Sequence, residues 1–138
     1  MPTLVPPTTT VLDSFLRAMA EIRAEGRGGD DDHTMIGAEF RRHGATWHTP
    51  AGFASYLADL RTSADPDHPR PSGLVACTTF WWTDGDTFLG RIAVRHQLTE
   101  RLRIIGGHIG YDIRPTARRQ GHATAMLRAA CHTLARSA

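Results

Sequence analysis

The spacing of hydrophobic residues changes partway along this chain, and the change predicts an α/β domain. In the first half, apolar positions recur every three or four residues, the period of a helix with one buried face. One helix is predicted to begin at a cap at Thr9 or Thr10 and to stop at Gly26. A second is predicted to begin with Thr49 as its cap and Pro50 as its first residue. The predicted buried faces comprise Val11, Leu12, Phe15, Leu16, Met19 and Ile22 in the first helix, and Phe53, Tyr56, Leu57 and Leu60 in the second.

From Leu74 onwards the pattern indicates strands. The runs LVACTTFWW and TFLGRIAVRH are β-rich, and TDGD between them is a hairpin signal. A short first strand is predicted at Thr3 to Val5 and a further strand at Gly106 to Ile113 (GGHIGYDI). The last segment, Gly121 to Ser137, predicts a helix. Its buried face comprises Ala123, Met126, Leu127, Ala130 and Leu134. The expected fold is one α/β domain, residues 1–138, with a mostly antiparallel sheet flanked by helices.

Composition narrows the class of protein without naming a function. A net charge of +2 over 138 residues, with no basic face, argues against nucleic acid as a partner. The chain has neither a membrane-length apolar run nor a secretion signal at its start, so a cytoplasmic location is expected, with no membrane partner. Cys77 and Cys131 fit neither a metal knuckle nor a disulfide framework and are expected to be buried thiols. All sixteen basic residues are arginine, so only a local cluster of arginines is informative.

Such a cluster lies between the last strand and the last helix, in RPTARRQGHATAML (Arg114 to Leu127). The first turn of a helix has backbone N–H groups without internal partners, and the positive end of the helix dipole lies there. Gly121 would let an anion approach those amides closely, and Arg118 and Arg119 would add charge. The segment is therefore suited to a pyrophosphate, although a solvated basic turn has the same composition. Other phosphate motifs do not fit: a Walker loop needs a lysine, and the glycines of GGHIG lie inside a predicted strand.

The spacing Arg118-x-x-Gly121-x-Ala123 resembles the Q/R-x-x-G-x-G/A signature of the GNAT family of acetyl-CoA-dependent N-acetyltransferases. The resemblance extends over GHIGYDIRPTARRQGHATAML, which is similar to that family's fourth strand, pyrophosphate loop and third helix. The order of the preceding elements also agrees. Ala123 stands where a glycine is commoner, which the signature allows.

This resemblance implies a GNAT-like fold and transfer of the acetyl group of acetyl-CoA to an amine. The pantetheine arm would pair with backbone groups of Tyr111 and Ile113, like an added strand. The pyrophosphate would bind to Arg118, Arg119, Gln120, Gly121, His122, Ala123 and Thr124. No metal is implied. The acceptor is left open among small-molecule amines, peptide N-termini and lysine side chains.

The reaction needs a base for the amine, and the candidates are His108, then His96 and Asp112. Each of the three also fits an ordinary hydrogen-bonded residue, and a chain of waters could replace a dedicated base. The acidic run Asp30 to Asp32 with His33, His43 and His48 matches no familiar metal-ligand spacing. Trp81 and Trp82 point to opposite faces of their strand; one is expected in the core and the other in an acceptor groove or merely covering it.

The sequence departs from the family pattern at its end. Family members continue with a strand, a helix and closing strands, whereas this chain stops at Ala138. Neither Tyr56 nor Tyr111 matches the tyrosine that often protonates the thiolate there. The chain is then a shortened form, a frameshift or cleavage product, or one completed by a second chain at the 106–113 edge. A homo-oligomer or completing chain is expected. The alternative function is a non-catalytic domain that binds coenzyme A or a partner without turnover.

Overall fold

The computed structural model describes residues 1–72, 74–96 and 109–137. The elements in chain order are β1 (Thr3–Val5), α1 (Leu12–Ala24), α2 (Met35–His43), α3 (Pro50–Ala64), β2 (Cys77–Asp84), β3 (Thr87–Arg95), β4 (Ile109–Ile113) and α4 (His122–Ser137). Single 3₁₀ turns lie at Thr9–Val11 and Pro115–Ala117.

The strands form one four-stranded sheet in the order β1-β2-β3-β4, and every neighbouring pair is antiparallel. The predicted antiparallel α/β fold is confirmed at this level. The hairpin between β2 and β3 is tighter than TDGD, because Asp84 pairs with Thr87 and only Gly85 and Asp86 turn the chain. Gly85 has a φ of 61°, as the first position of a type II′ turn requires. Leu89 is an extra residue in β3, since Trp82 pairs with Gly90 and Thr83 with Phe88.

One face of the sheet is covered by α1, α2 and α3 over an aromatic core. Phe15 of α1 is at its centre and is 1% exposed. Its ring stacks on Trp81 at 5.1 Å between centroids and meets Trp47 edge-on at the same distance. Further rings around it are Phe53, Tyr56 and Phe88.

The opposite face is covered by α4, which buries Met126 and Ala130 against Trp82, Ile92 and Ile113. Both tryptophans of the Trp81–Trp82 pair are therefore buried, one in each core. The predicted buried face of α4 is partly wrong, because Leu127 and Leu134 are each 38% exposed. Leu127 and Leu134 lie beside the strip of α4, centred on Met126 and Ala130, that packs against the sheet.

The largest departure from the predicted elements is α2. Thr34 caps this helix by accepting a hydrogen bond from the amide of Gly37 at 3.3 Å, and Ile36 is its most buried apolar side chain. Its apolar pattern is short and Gly37 weakens helix propensity, so periodicity alone did not reveal it. Thr49 and Pro50 begin α3 as predicted.

Two smaller expectations also need correction. Thr8, not Thr9 or Thr10, caps the 3₁₀ turn that leads into α1. Cys77 is buried as expected, but Cys131 is exposed because it lies on the outer side of α4. Among the described helices, none has the stretch of apolar residues that crossing a bilayer requires.

Replacing Phe15 with alanine should lower the free energy of unfolding by about 3–5 kcal/mol, because it opens a cavity among five aromatic rings. Leu127→Ala on the exposed side of α4 is the matched control and should cost less than about 1 kcal/mol. Urea denaturation of both variants measures the difference. Equal losses would contradict the assignment of Phe15 to the centre of the core.

Candidate functional site

The turn between β4 and α4 has an unusual backbone. Arg119 and Gly121 both have positive φ angles, 61° and 84°. This conformation suits glycine, and Arg119 is the only non-glycine residue in the described chain that adopts it. A Cβ atom added to Gly121 would meet no other atom within 4 Å, so the space beside its backbone is open.

Three consecutive amides at the end of this turn have no partner in the part of the chain that the structure describes. Within the described residues, the N–H groups of Arg119, Gln120 and Gly121 donate no hydrogen bond to the chain. The first turn of α4 contains no acidic residue that would neutralise the helix dipole. A group of free donors therefore lies at the positive end of a sixteen-residue helix.

Arg119 and Gly121 line a cavity of about 410 Å³ beside the end of β4. Its lining includes every residue that the family resemblance assigns to the cofactor except Gln120, whose side chain instead donates to the carbonyl of Thr116 at 3.3 Å. The assigned residues that line it are Tyr111, Ile113, Arg118, Arg119, Gly121, His122, Ala123 and Thr124. The His122 ring is held to the sheet, because its Nδ1 accepts a hydrogen bond from Trp82 Nε1 at 3.1 Å.

Two carboxylates, Glu21 of α1 and Glu25 at its C-terminal cap, hold the turn in place. Glu21 accepts hydrogen bonds from Arg114 Nε and, at 3.0 Å, from the amide of Thr116. Glu25 binds the Arg118 guanidinium through two contacts of 2.8 Å. Arg118 was expected to contact the phosphate directly, but its guanidinium is engaged by Glu25, and Nε donates to the carbonyl of Ile113 at 3.2 Å. Arg119 is thus the arginine of this turn that has no carboxylate partner among the described residues.

The pKa values of both carboxyl groups reflect these contacts. Hydrogen bonding to Arg118 lowers the pKa of Glu25, and the same bond raises the pKa of Arg118. Burial alone would raise the pKa of Glu21, but hydrogen bonds from Thr116 and Arg114 outweigh it, so that pKa is also lowered. Both carboxylates are charged at neutral pH and stabilise the turn there.

The edge of β4 that faces the cavity offers backbone groups. The amide of Arg114 donates to the carbonyl of Leu89 on β3 at 2.8 Å. Because backbone direction alternates along an antiparallel strand, the N–H and C=O groups of Tyr111 and Ile113 point away from β3. The carbonyl of Ile113 already accepts from Arg118, which leaves its N–H and both backbone groups of Tyr111 facing outward.

A second cavity, of about 870 Å³, lies on the other side of β4 and shares Tyr111 and Asp112 with the first. Its floor contains a buried ionic cluster, in which Glu39 accepts from both Arg91 Nη1 and the Tyr56 hydroxyl. Burial and the neighbouring Glu39 raise the pKa of Tyr56 well above its usual value. Burial opposes the charge of Arg91, but Glu39 outweighs it and raises the pKa of that guanidinium. Arg91 is therefore a permanent buried cation.

The three candidate bases have different positions. His108 lies outside the described residues. His96 is exposed at the end of β3, bonds to Thr78 Oγ1 at 2.7 Å and lines neither cavity. Asp112 lines both cavities, but its carboxylate is paired with Arg27 at 2.7 Å.

In the acidic run Asp30 to Asp32 and among the histidines that follow it, Asp32 and His43 make hydrogen bonds to neighbouring residues of the fold. Asp32 accepts from the amides of Gly28 and Thr34 at 2.8 and 3.0 Å and from the Thr34 hydroxyl. Burial opposes ionisation, but these bonds lower the pKa of Asp32 to about 2. His43 bonds to Asp59 at 2.9 Å. Residues 1–72, 74–96 and 109–137 contain no group of three or more potential ligands arranged to hold a metal.

No protein-family model matches this chain, and no curated protein matches it significantly. The resemblance described above therefore depends on the residues of the β4–α4 segment themselves.

The hydrophobic and motif patterns of the sequence do not predict several residues of the site. Glu21 and Glu25 are four residues apart, and so are Arg114 and Arg118. This matched spacing is the one feature of the sequence that indicates their pairing. Arg91 lies within an apolar strand, which indicates a buried acidic partner. That partner, Glu39, lies on α2, the helix that the hydrophobic spacing does not predict.

The free energy of unfolding should fall as the pH drops below about 4.5, the ordinary value for glutamate. The folded-state pKa values of Glu21 and Glu25 are lowered, so their contribution is complete above that value and is lost as pH falls through the folded values. Asp32 adds a loss between about pH 3.8 and pH 2.

Urea denaturation over this pH range tests the contribution of the two glutamates. The double variant Glu21→Gln/Glu25→Gln should show a shallower fall than the unmodified protein, whereas Asp86→Asn in the hairpin turn should keep the full fall. Parallel curves for all three proteins would show that these ion pairs do not stabilise the fold.

Proposed function

We propose that this protein is an acetyl-CoA-dependent N-acetyltransferase that uses the β4–α4 turn to bind the diphosphate of the cofactor. One observation carries the proposal: Arg119 and Gly121, whose amides have no partner among the described residues, line the same cavity as Tyr111 on the outer strand of the described sheet. A helix N-terminus by itself is a common anion site. The helix N-terminus and the strand edge together suit a ligand with a diphosphate and an extended amide-containing arm, and coenzyme A is such a ligand.

In this proposal the diphosphate accepts hydrogen bonds from the amides of Arg119, Gln120 and Gly121. The exposed guanidinium of Arg119 adds charge, while Arg118 positions the turn through Glu25. The arm extends along β4 and pairs with the outward backbone groups of Tyr111 and the N–H of Ile113. The thioester then lies near Tyr111 and Asp112, where the two cavities meet.

The acceptor amine enters from the second cavity. It loses a proton, attacks the thioester carbonyl and forms a tetrahedral oxyanion, which collapses to release the thiolate. A backbone N–H of β4 is proposed to stabilise the oxyanion. Asp112, His108 or ordered water takes the proton. Tyr56 is a poor donor to the thiolate, because its pKa is raised and its hydroxyl is bonded to Glu39.

A second candidate function is a domain that binds coenzyme A without turnover. The pairing of Asp112 with Arg27 favours it, because that carboxylate is not free to accept a proton. An assay of thiol release from acetyl-CoA against a panel of amines separates the two candidates. A non-catalytic domain shows affinity for the cofactor without amine-dependent release.

We also propose that a second chain, in the simplest case another copy, pairs with the edge of β4 at Ile109, beyond the residues proposed for the cofactor arm. The protein is proposed to act in the cytoplasm. The N–H of Ile109 points away from β3, so Ile109→Pro removes a donor for the second chain and keeps the donors proposed for the cofactor arm. Sedimentation should give at least a dimer for the unmodified protein and a smaller particle for this variant. A monomer at all concentrations would refute the pairing.

Replacing Gly121 with valine should weaken binding of coenzyme A tenfold or more, or at least about 1.4 kcal/mol. Valine disfavours the φ of 84°, and its side chain would occupy the space proposed for the diphosphate. Calorimetric titration with coenzyme A measures the affinity.

Gly85→Val is the matched control, because Gly85 also has a positive φ but lines neither cavity. Arg119→Ala should weaken binding as well, whereas Arg128→Ala on the exposed side of α4 should not. Unchanged affinity in both Gly121→Val and Arg119→Ala would rule out this turn as the diphosphate site.

A further inference from the structure

The second cavity contains a buried cation with an underused donor. Arg91 is 3% exposed, and its Nη1 is shared between Glu39 and the Tyr56 hydroxyl, the latter at 3.4 Å. Among the described residues, its Nη2 has one hydrogen-bond partner, the thioether sulfur of Met35 at 3.4 Å. A thioether is a weak acceptor for a guanidinium. Both Arg91 and Met35 line the cavity, so an oxygen of a bound molecule could replace that contact.

The described lining of this cavity carries an excess of positive charge. Without counting Arg95, four arginines line it against three carboxylates. Each carboxylate is already paired with an arginine: Glu39 with Arg91, Asp112 with Arg27, and Asp59 with Arg42 at 3.3 Å. The field inside the cavity therefore favours a ligand with a negative group.

The sheet places a second charge close to Arg91. Arg91 and Asp112 are directly opposite each other in the β3–β4 register, so their side chains leave the same face roughly 5 Å apart at Cβ. A molecule with its negative group on Arg91 would extend a positive group towards Asp112. Asp112 also lies where the two cavities meet.

We infer that the acceptor is a small amino acid, whose carboxylate binds Nη2 of Arg91 and whose amine lies beside Asp112. The inference rests on the proposed acetyl transfer for its reaction, but its binding step does not need the cofactor. A cavity of about 870 Å³ is in the range that holds a small molecule. Peptide N-termini and lysine side chains lack a carboxylate close enough to the amine to reach Arg91 while the amine lies beside Asp112. They therefore fit the charge pattern less well.

Calorimetry without any acyl donor tests the inference directly. The probes are glycine, β-alanine and γ-aminobutyrate, each compared with its own carboxamide, which keeps the amine and removes the negative charge. The tightest of the three acids should bind at least tenfold more strongly than its amide. No preference for the acid in any of the three pairs would overturn the inference.

Variants locate the carboxylate. Arg91→Lys keeps the charge but loses Nη2, and it should abolish the preference, whereas Arg128→Lys on α4 should retain it. Met35→Leu removes only the thioether and should also retain it. If Arg91→Lys does not fold, the acid–amide comparison in the unmodified protein still decides. A preference that persists in folded Arg91→Lys contradicts the role given to Arg91.

Thiol-release assays then separate this inference from the proposed function. Preferential binding of the acid without thiol release would leave the carboxylate site standing and remove the transferase. Thiol release at equal rates with the acid and its amide would leave the transferase standing and overturn the carboxylate site.

Discussion

The arrangement of the candidate site depends on two carboxylates, one in the last turns of α1 and one at its C-terminal cap, that hold two arginines of the β4–α4 turn. Glu21 engages Arg114 and the amide of Thr116, and Glu25 engages Arg118. The Arg118 side chain is 42% exposed, and ion pairs so open to water contribute at most about 1 kcal/mol. Their main effect is therefore on position. They fix the path of the chain as it leaves β4, and the amides of Arg119, Gln120 and Gly121 that follow have no partner among the residues described.

Strand β4 is open to ligands from both faces of the sheet. Helices α1 to α3 cover one face and α4 covers the other, yet Tyr111 of β4 is 54% exposed. One cavity reaches this end from the side of α4 and another from the side of α2 and α3, and they share Tyr111 and Asp112. A group-transfer enzyme needs such an arrangement, because donor and acceptor must approach one reacting atom along separate paths. The proposed acetyl transfer uses both paths.

Elements with strong local signals could be predicted from the sequence. The Thr49–Pro50 start of α3 and the Gly85 hairpin are set by the conformations that threonine, proline and glycine favour locally. The set of residues around the first cavity could also be identified, because it is contiguous along a strand, a turn and a helix start. Short helix α2 could not, since its stability comes largely from tertiary packing of Ile36 rather than from propensity.

Long-range pairings were the other part that local patterns did not reveal. Arg118 was expected to face the ligand, but Glu25, distant in sequence, binds its guanidinium. Leu127 and Leu134 have the spacing of a buried face, yet both are 38% exposed, and the strip around Met126 and Ala130 packs against the sheet instead. Residues from distant segments of the chain decide which apolar side chains are buried and which charged side chains are paired.

The most direct test of this account is a titration of ¹⁵N-labelled protein with coenzyme A, followed by the backbone amide resonances. The account predicts that the amides of Arg119, Gln120 and Gly121 shift most, together with those of Tyr111 and Ile113 on the strand edge. Binding that leaves these amides unchanged and shifts others instead would contradict the account.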